Sequence, residues 1–246
     1  MGRAFPEVVT RELASVPGVY AIGPERLHDL DAAFGKRPSG VPGVSSEHAL
    51  ALASGANRIG YGAYWLHNGR LEARLTLEEL PAGKMTRVFS SSAAGDDVLG
   101  AASALAQQLS NRATSYPTRN VAAVKAYVMG LELADPATAP QRFEEAIAAD
   151  PAFAPPYEKL AQWKIQRQDR AGATDLLSRA LAQSSRMPEL ERVQIGFNAA
   201  ALRGDAAARQ QALAAWSQLT PNDPTVWRIM AESAMSRREY AQSDTL

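Results

Sequence analysis

The chain has no cysteine and only three histidines among its 246 residues. The lack of cysteine excludes disulfides, thiolate nucleophiles and cysteine-ligated zinc. The three histidines, His28, His48 and His67, are predicted on a helix, at a helix start and in a hairpin turn, without the spacing of an H-E-x-x-H zinc motif. We therefore interpret them as solvated surface residues and predict no metal site.

A net charge and a long apolar run are also missing. The 26 basic and 26 acidic residues give a formal net charge of zero, whereas binding to nucleic acid or to an anionic membrane needs a basic surplus on one face. No stretch approaches the roughly 18 to 20 apolar residues of a membrane span, and the N-terminus lacks the apolar core of a signal peptide. We expect a soluble segment without a nucleic-acid or membrane partner, either cytoplasmic or the extracytoplasmic part of a membrane-anchored bacterial protein.

Sequence patterns of catalytic sites are equally scarce. The G-Y-G run at 60–62 lacks the third glycine and the following helix of a dinucleotide-binding loop. The carboxylate pairs at 78–79, 96–97 and 144–145 are predicted on wet faces or at helix starts, where no burial would raise a pKa. The serines at 90–92 are predicted in a loop without a G-x-S-x-G nucleophile elbow. We predict no active site and no cofactor, so the chain is not expected to be an enzyme.

The C-terminal half contains a repeated helix pattern. Ala173, Leu177 and Ala180 place small, large and small side chains on one helix face, which lets two antiparallel helices close up. The same pattern begins at Ala139, 34 residues earlier, with Phe143 in the large position. Two units of one repeat are therefore predicted in tandem.

A second helix pattern also recurs. The sequence YEKLA at 157–161 places an aromatic ring one turn before a leucine and an alanine, and WRIMA at 227–231 repeats this arrangement. The tetratricopeptide repeat (TPR) has this form, W-x-x-L-G in its first helix and A-x-x-x-F in its second, with a period near 34 residues. Residues 121–246 therefore resemble the TPR family over about three and a half units, the last truncated at the C-terminus. The unit at 190–221 departs from the pattern, with Arg209 and Trp216 in place of alanines.

The N-terminal half alternates helix and strand patterns. Helices are predicted at 6–15, 24–34 and 45–55 and from 98 onwards, and a short buried strand at 19–22. A three-stranded meander is predicted at 58–66, 71–78 and 85–89, with the Asn-Gly pair at 68–69 as its first turn. This order predicts an α+β domain at 1–115, with a small mixed sheet covered by helices on one face, followed by an all-α, TPR-like solenoid at 121–246.

The N-terminal half also resembles the TolB amino-terminal-like domain. The resemblance lies in VVTRELASVPGV at 8–19, in the helix at 49–57 ahead of a Gly-x-Gly strand, and in Asp96-Asp97 before a long helix. In bacterial kinases, adenylate cyclases and membrane-anchored transcription factors such a domain is often followed by TPR units. The family begins with a strand for which this chain has no residues, and the last repeat stops inside its second helix. We therefore expect both ends to be cuts through a longer protein.

The TPR resemblance implies a function in binding rather than in catalysis. The first helices of a TPR array form an inner wall that binds extended peptides or partner helices. The predicted partner-binding residues point from these helices away from the paired second helix; they are Glu158, Gln162, Ile165, Gln194, Asn198, Arg228, Glu232 and Met235. We expect a sensing and protein-interaction segment of a larger bacterial signalling protein.

Two alternative functions remain open. The chain could be the regulatory fragment of a serine/threonine kinase or adenylate cyclase whose catalytic domain lies outside it. It could also be a small-ligand receptor, with a cleft between the strand around Trp65 and the loop at 35–43. Self-association is a further possibility, because the truncated unit at 224–246 would leave an apolar face uncovered. The sequence does not identify the partner or the signal.

Overall fold

The computed structural model describes residues 4–23, 27, 46–95, 97–132 and 138–236. This part of the chain is α+β, with one small antiparallel sheet and many helices. Contacts divide the chain into two units: a sheet unit at 2–13 and 21–116, and a helical unit at 14–20 and 117–246. Residues 14–20 thus belong to the helical unit, although the sequence places them in the N-terminal domain. The domain ranges 1–115 and 121–246 stay a prediction.

The described sheet has three strands in the order β1–β2–β3, namely β1 (Arg58–His67), β2 (Arg70–Glu79) and β3 (Lys84–Ala94). Both neighbouring pairs are antiparallel. Asn68 and Gly69 join β1 to β2 with positive φ angles of 50° and 72°, as a two-residue type I′ hairpin turn requires. The predicted meander and its Asn-Gly turn are confirmed.

The prediction of a mixed sheet is wrong for the described residues. Residues 19–22, predicted as a buried strand, form no strand and pair with none of the three. The run follows a tight turn, in which Gly18 has a φ of 76° and the N–H of Val19 donates to the carbonyl oxygen of Val16 at 3.1 Å. Tyr20 is 43% exposed. A four-residue run whose first amide is engaged in a turn has little backbone left to join a sheet.

The third strand is longer than predicted. The serines at 90–92, predicted in a loop, continue β3 and pair with β2. Ser91 donates a hydrogen bond from Oγ to the carbonyl oxygen of Ala101, 2.8 Å away in the helix that packs on the sheet. Small polar side chains thus lie at a contact between helix and sheet. Because the serine run has no alternation of apolar and polar residues, its pattern does not predict a strand.

Three helices belong to the sheet unit as described: α1 (Ala4–Glu12), α2 (Ser46–Ala53) and α3 (Val98–Leu109). The predicted capping of α3 is confirmed, since Asp97 accepts a hydrogen bond from the backbone N–H of Gly100 at 2.8 Å. Helix α3 packs against α1, β2 and β3. The carboxylate of Glu12, 1% exposed, accepts bonds from Ser103 Oγ at 2.6 Å and from the N–H of Tyr116 at 2.9 Å.

Several predicted features lie outside the described residues. They are the loop at 35–43, the helix at 24–34 except for residue 27, and the second helix of the last repeat near Tyr240. His28 lies there too. Only one side of the cleft predicted for a small ligand is therefore described, and on that side Trp65 is 44% exposed.

The described helices of the helical unit are α4 (Val121–Glu132), α5 (Ala139–Ala149), α6 (Ala154–Gln166), α7 (Arg170–Leu181), α8 (Glu189–Arg203), α9 (Ala206–Leu219) and α10 (Pro224–Ser236). Each helix packs against the next one along the chain, and α6 also packs against α8. Connections as short as those at 167–169 and 204–205 join antiparallel helices. The helices predicted around the repeat motifs are thus confirmed.

The connections themselves carry helix caps. Asp169 accepts a hydrogen bond from the N–H of Gly172 at 2.8 Å, and Asp205 accepts one from the N–H of Ala208 at 3.0 Å. Gly204 ends α8 in the left-handed conformation with a φ of 73°, which costs glycine no steric strain. The Gly204-Asp205 pair thus forms the turn between α8 and α9.

Small residues lie where the helices pack most closely. Ala146, Ala173 and Ala180 have no exposed surface. Gly130 of α4 faces the ring of Phe143 of α5, and a Cβ added to it would lie 2.5 Å from Cε1 of that ring. The spacing of α4 and α5 therefore depends on a glycine at this position.

Replacing Gly130 with alanine should destabilise the protein by about 1–3 kcal/mol, because the new methyl group overpacks against Phe143. The matched control is Gly196→Ala on α8, where nothing lies within 4 Å of the added Cβ. That change should instead stabilise by about 0.5–1 kcal/mol through helix propensity. Urea unfolding followed by circular dichroism measures both, and equal midpoints for Gly130→Ala and wild type would contradict the close approach.

Candidate functional site

Three of the predicted partner-binding residues lie along one face of α6. Glu158, Gln162 and Ile165 are spaced by four and three residues, which places them on successive turns of the helix. Gln162 is exposed, Ile165 is 45% exposed and Glu158 is half-buried. An amide and an aliphatic side chain therefore stand next to each other at the surface.

The next two predicted residues lie one turn apart on α8. Gln194 and Asn198 are both half-buried, and the Oε1 atom of Gln194 is buried without a hydrogen-bond partner in the described structure. Phe197, beside Asn198, packs edge to face on Trp216 of α9 with ring centroids 5.7 Å apart. The oxygen of Gln194 is thus withdrawn from solvent, which leaves Asn198 as the more accessible amide of the two.

The last predicted residues lie on α10. Arg228 and Glu232 are exposed and form an ion pair one helical turn apart, while Met235 is 56% exposed. Because the two charges already compensate each other, they offer a partner less than two isolated charges would. Helices α6 and α8 pack against each other, so the predicted residues of α6 and those of α8 lie on neighbouring helices. Helix α10 packs against α9 instead.

The interpretation of the histidines as solvated surface residues is wrong for His48. Its Nε2 atom lies 2.5 Å from Oε1 of Glu78, and Glu78 is only 9% exposed, although the sequence predicts a wet face for it. The register of β2 shifts between Leu77 and Glu78, which strict alternation does not anticipate. This pair links α2 to the sheet. Within the described ranges no cluster of side chains is suited to hold a metal ion.

The helical unit also contains a surface groove that the sequence does not predict. Helices α5, α6 and α7 enclose a volume of about 500 Å³. Its apolar lining comes mainly from Ile147, Tyr157, Leu160 and Leu176, and its charged lining from Glu144 and Arg179. We call it the α5–α7 groove. None of its residues is among those predicted to bind a partner.

The charged groups of the α5–α7 groove have no partners among the described residues. Neither Glu144 nor Arg179 makes a hydrogen bond or an ion pair there, and they belong to different helices, α5 and α7. Other charges of this unit are paired, such as Arg142 with Glu145 at 2.6 Å and Lys164 with Asp169 at 2.9 Å. The groove thus combines an apolar floor with two charged groups of opposite sign, neither of which forms a hydrogen bond or an ion pair among the described residues.

Tyr157 forms part of the floor of the groove. It is 2% exposed, and its hydroxyl donates to the carbonyl oxygen of Pro151 at 3.1 Å. Burial raises the pKa of the Tyr157 phenol above its usual range, while the Arg179 charge opposes the rise and Asp150 adds to it. The phenol is therefore held neutral, and its hydrogen-bonding capacity as a donor is already used.

The sequence could not reveal this groove for a simple reason. Periodicity correctly places Tyr157 and Leu160 in the core, at 2% exposure each, because their side chains lie on the buried face of α6. A groove, however, depends on how far α5 and α7 stand apart above that face. One sequence signal was the acidic pair at 144–145, of which only the second residue has an ionic partner among the described residues.

No protein-family model matches the chain, and no curated protein matches it. Among the described helices, none combines the length and the apolar character needed to cross a membrane. The function must therefore be argued from the surfaces described above.

Alkaline titration should show the raised pKa of Tyr157. The neutral phenol favours the folded state, so its contribution is complete below the unfolded pKa of about 10 and is lost as the pH rises through the higher folded pKa. At neutral pH, Tyr157→Phe should be less stable than wild type by about 0.5–1.5 kcal/mol, because the bond to Pro151 is lost. That difference should shrink above about pH 10 as the wild-type phenol ionises.

Urea midpoints of wild type and Tyr157→Phe across the alkaline range measure this convergence. Ultraviolet absorbance of tyrosinate on the two proteins gives the ionisation of Tyr157 by difference. A stability difference that stays constant to the highest pH would contradict the raised pKa.

Proposed function

We propose that this chain is a non-catalytic protein-interaction module whose helical unit is a TPR-like array. The observation that carries the proposal is the packing order: antiparallel pairs follow one another, and the first helices α6 and α8 pack against each other as well as against their own second helices. Stacked pairs of this kind produce a continuous surface from their first helices. Such a surface can bind an extended peptide or a partner helix.

The side chains on α6 and α8 support this function. Gln162 and Asn198 provide amide groups, which can donate to and accept from a peptide backbone. Ile165, 45% exposed and one turn from Gln162 on α6, provides apolar area at the surface. A mixture of amides and isolated apolar groups suits a protein partner better than a phosphate-rich one, which would need basic residues.

The sheet unit completes the proposal. Its resemblance to the TolB amino-terminal-like domain, followed directly by helical pairs, is the arrangement expected of the sensing region of a bacterial signalling protein. We propose that the chain works in this context, with the helical unit holding a protein partner. The absence of basic surplus, of a catalytic motif and of cysteine in the sequence is compatible with such a role.

A pair of substitutions on α6 tests the function. Gln162→Ala combined with Ile165→Asp should weaken retention of a cellular partner by about tenfold or more, because the bound partner would cover an aspartate in place of an isoleucine and remove its charge from water. The control is Gln210→Ala, an exposed amide on the second helix α9, which should retain the partner as wild type does. Because Gln162, Ile165 and Gln210 are all exposed, the free energy of unfolding of each variant should differ from that of wild type by less than about 0.5 kcal/mol.

Site-specific crosslinking locates the contact independently. Because the chain has no cysteine, Gln162→Cys and Gln210→Cys each create a unique attachment point for a photoreactive label. A defined crosslinked species is expected from position 162 and not from position 210. We call the surface of α6 and α8 that carries Gln162, Ile165 and Asn198 the first-helix surface. Identical products from the two positions, or unchanged retention of the partner by the double variant, would refute binding there.

A further inference from the structure

We propose that the α5–α7 groove is a second peptide-binding site, one that takes a large apolar side chain flanked by an acidic residue on one side and a basic residue on the other. The site is separate from the first-helix surface, since the groove is lined by none of its residues. It is therefore testable whether or not the first-helix surface binds anything.

The apolar anchor is argued from the floor of the groove. Ile147, Leu160 and Leu176 line a volume of about 500 Å³, and their side chains are each at most 5% exposed. The Tyr157 hydroxyl on the floor already donates to Pro151, and Gln183 adds an amide side chain to the lining. An apolar side chain that enters this volume leaves water and packs on Ile147, Leu160 and Leu176, and the free energy of its binding comes from its own area removed from water.

The flanking charges are argued from Glu144 and Arg179. They lie on α5 and α7, the two helices that border the groove, and neither has an ionic or hydrogen-bond partner within the described part of the chain. A peptide lying across the groove with its anchor on the floor would place residues on both sides next to these helices. An acidic residue beside Arg179 and a basic residue beside Glu144 would compensate both charges at once. A peptide whose charged residues all have the same sign could pair with only one of the two groove residues.

A peptide suits the groove better than a small polar molecule. Small-molecule sites bring several polar groups together around the ligand. In this groove the unused charged groups belong to different helices, α5 and α7, and the side chains that α6 adds to the lining are Tyr157 and Leu160. That arrangement fits three side chains of a peptide, of which the middle one is the anchor.

Synthetic peptides provide the probe. We would use blocked, fluorescein-labelled peptides with a central leucine or phenylalanine, one lysine on one side and one glutamate on the other, at several spacings. Matched peptides replace the central residue by serine or both charged residues by glutamine. Fluorescence anisotropy should show tighter binding of the charged, apolar-centred peptides than of either matched set.

Two kinds of variant then locate the binding. Ala182, exposed at the end of α7, lines the groove, so Ala182→Trp should fill it and weaken binding at least about tenfold. The matched control is Ala171→Trp, an exposed alanine in the first turn of the same helix and outside the groove, which should bind as wild type. Arg179→Glu should weaken binding about two- to fivefold, and a peptide whose glutamate is changed to lysine should recover part of that loss.

Specific results would overturn the proposal. It fails if apolar-centred peptides bind no better than serine-centred ones, or if Ala182→Trp and Ala171→Trp bind alike. Loss of peptide binding in Gln162→Ala with Ile165→Asp, but not in Ala182→Trp, would refute the groove while supporting the first-helix surface. Loss in Ala182→Trp alone would support the groove whatever the first-helix surface does.

Discussion

Close packing of helices through small side chains is the constraint on which the helical unit depends. Ala123, Ala146, Ala173 and Ala180 have no exposed surface, and Gly130 leaves the space that the Phe143 ring occupies. A larger residue at any of these positions would push two helices apart, and every helix later in the chain is positioned by the ones before it. The distance between α5 and α7, and with it the width of the groove, is set by these contacts.

The pair α8–α9 shows what happens where large residues replace small ones. Trp216 stands where the repeat pattern has an alanine, and it is accommodated by an edge-to-face contact with Phe197 at 5.7 Å. Nε1 of Trp216 and Oε1 of Gln194 are both buried without a hydrogen-bond partner in the described structure. A buried polar atom without a hydrogen-bond partner costs on the order of 1–3 kcal/mol. The packing of α8 on α9 is therefore stabilised by the aromatic contact and destabilised by these two polar atoms.

Local signals were sufficient to predict much of the fold. The Asn68-Gly69 turn, the Asp97 cap and the end of α8 at Gly204 follow from backbone preferences of single residues. What could not be predicted depends on contacts between distant residues. The run at 19–22 pairs with none of the described strands, Ser91 of β3 bonds to α3, and Glu78 of β2 lies against His48 of α2. The groove belongs to the same class, since it is a space between helices rather than a property of any one of them.

The buried carboxylate of Glu12 has a consequence for how the protein is made. Its hydrogen-bond donors, Ser103 and Tyr116, follow 91 and 104 residues later in the chain. On a translating ribosome α1 emerges before Ser103 and Tyr116, yet its carboxylate must stay hydrated until residue 116 has been synthesised, because burying a carboxylate without donors is strongly unfavourable. The sheet unit therefore reaches its final packing only after its last residue emerges, and α1 spends most of that synthesis exposed to whatever chaperones bind a nascent amphipathic helix.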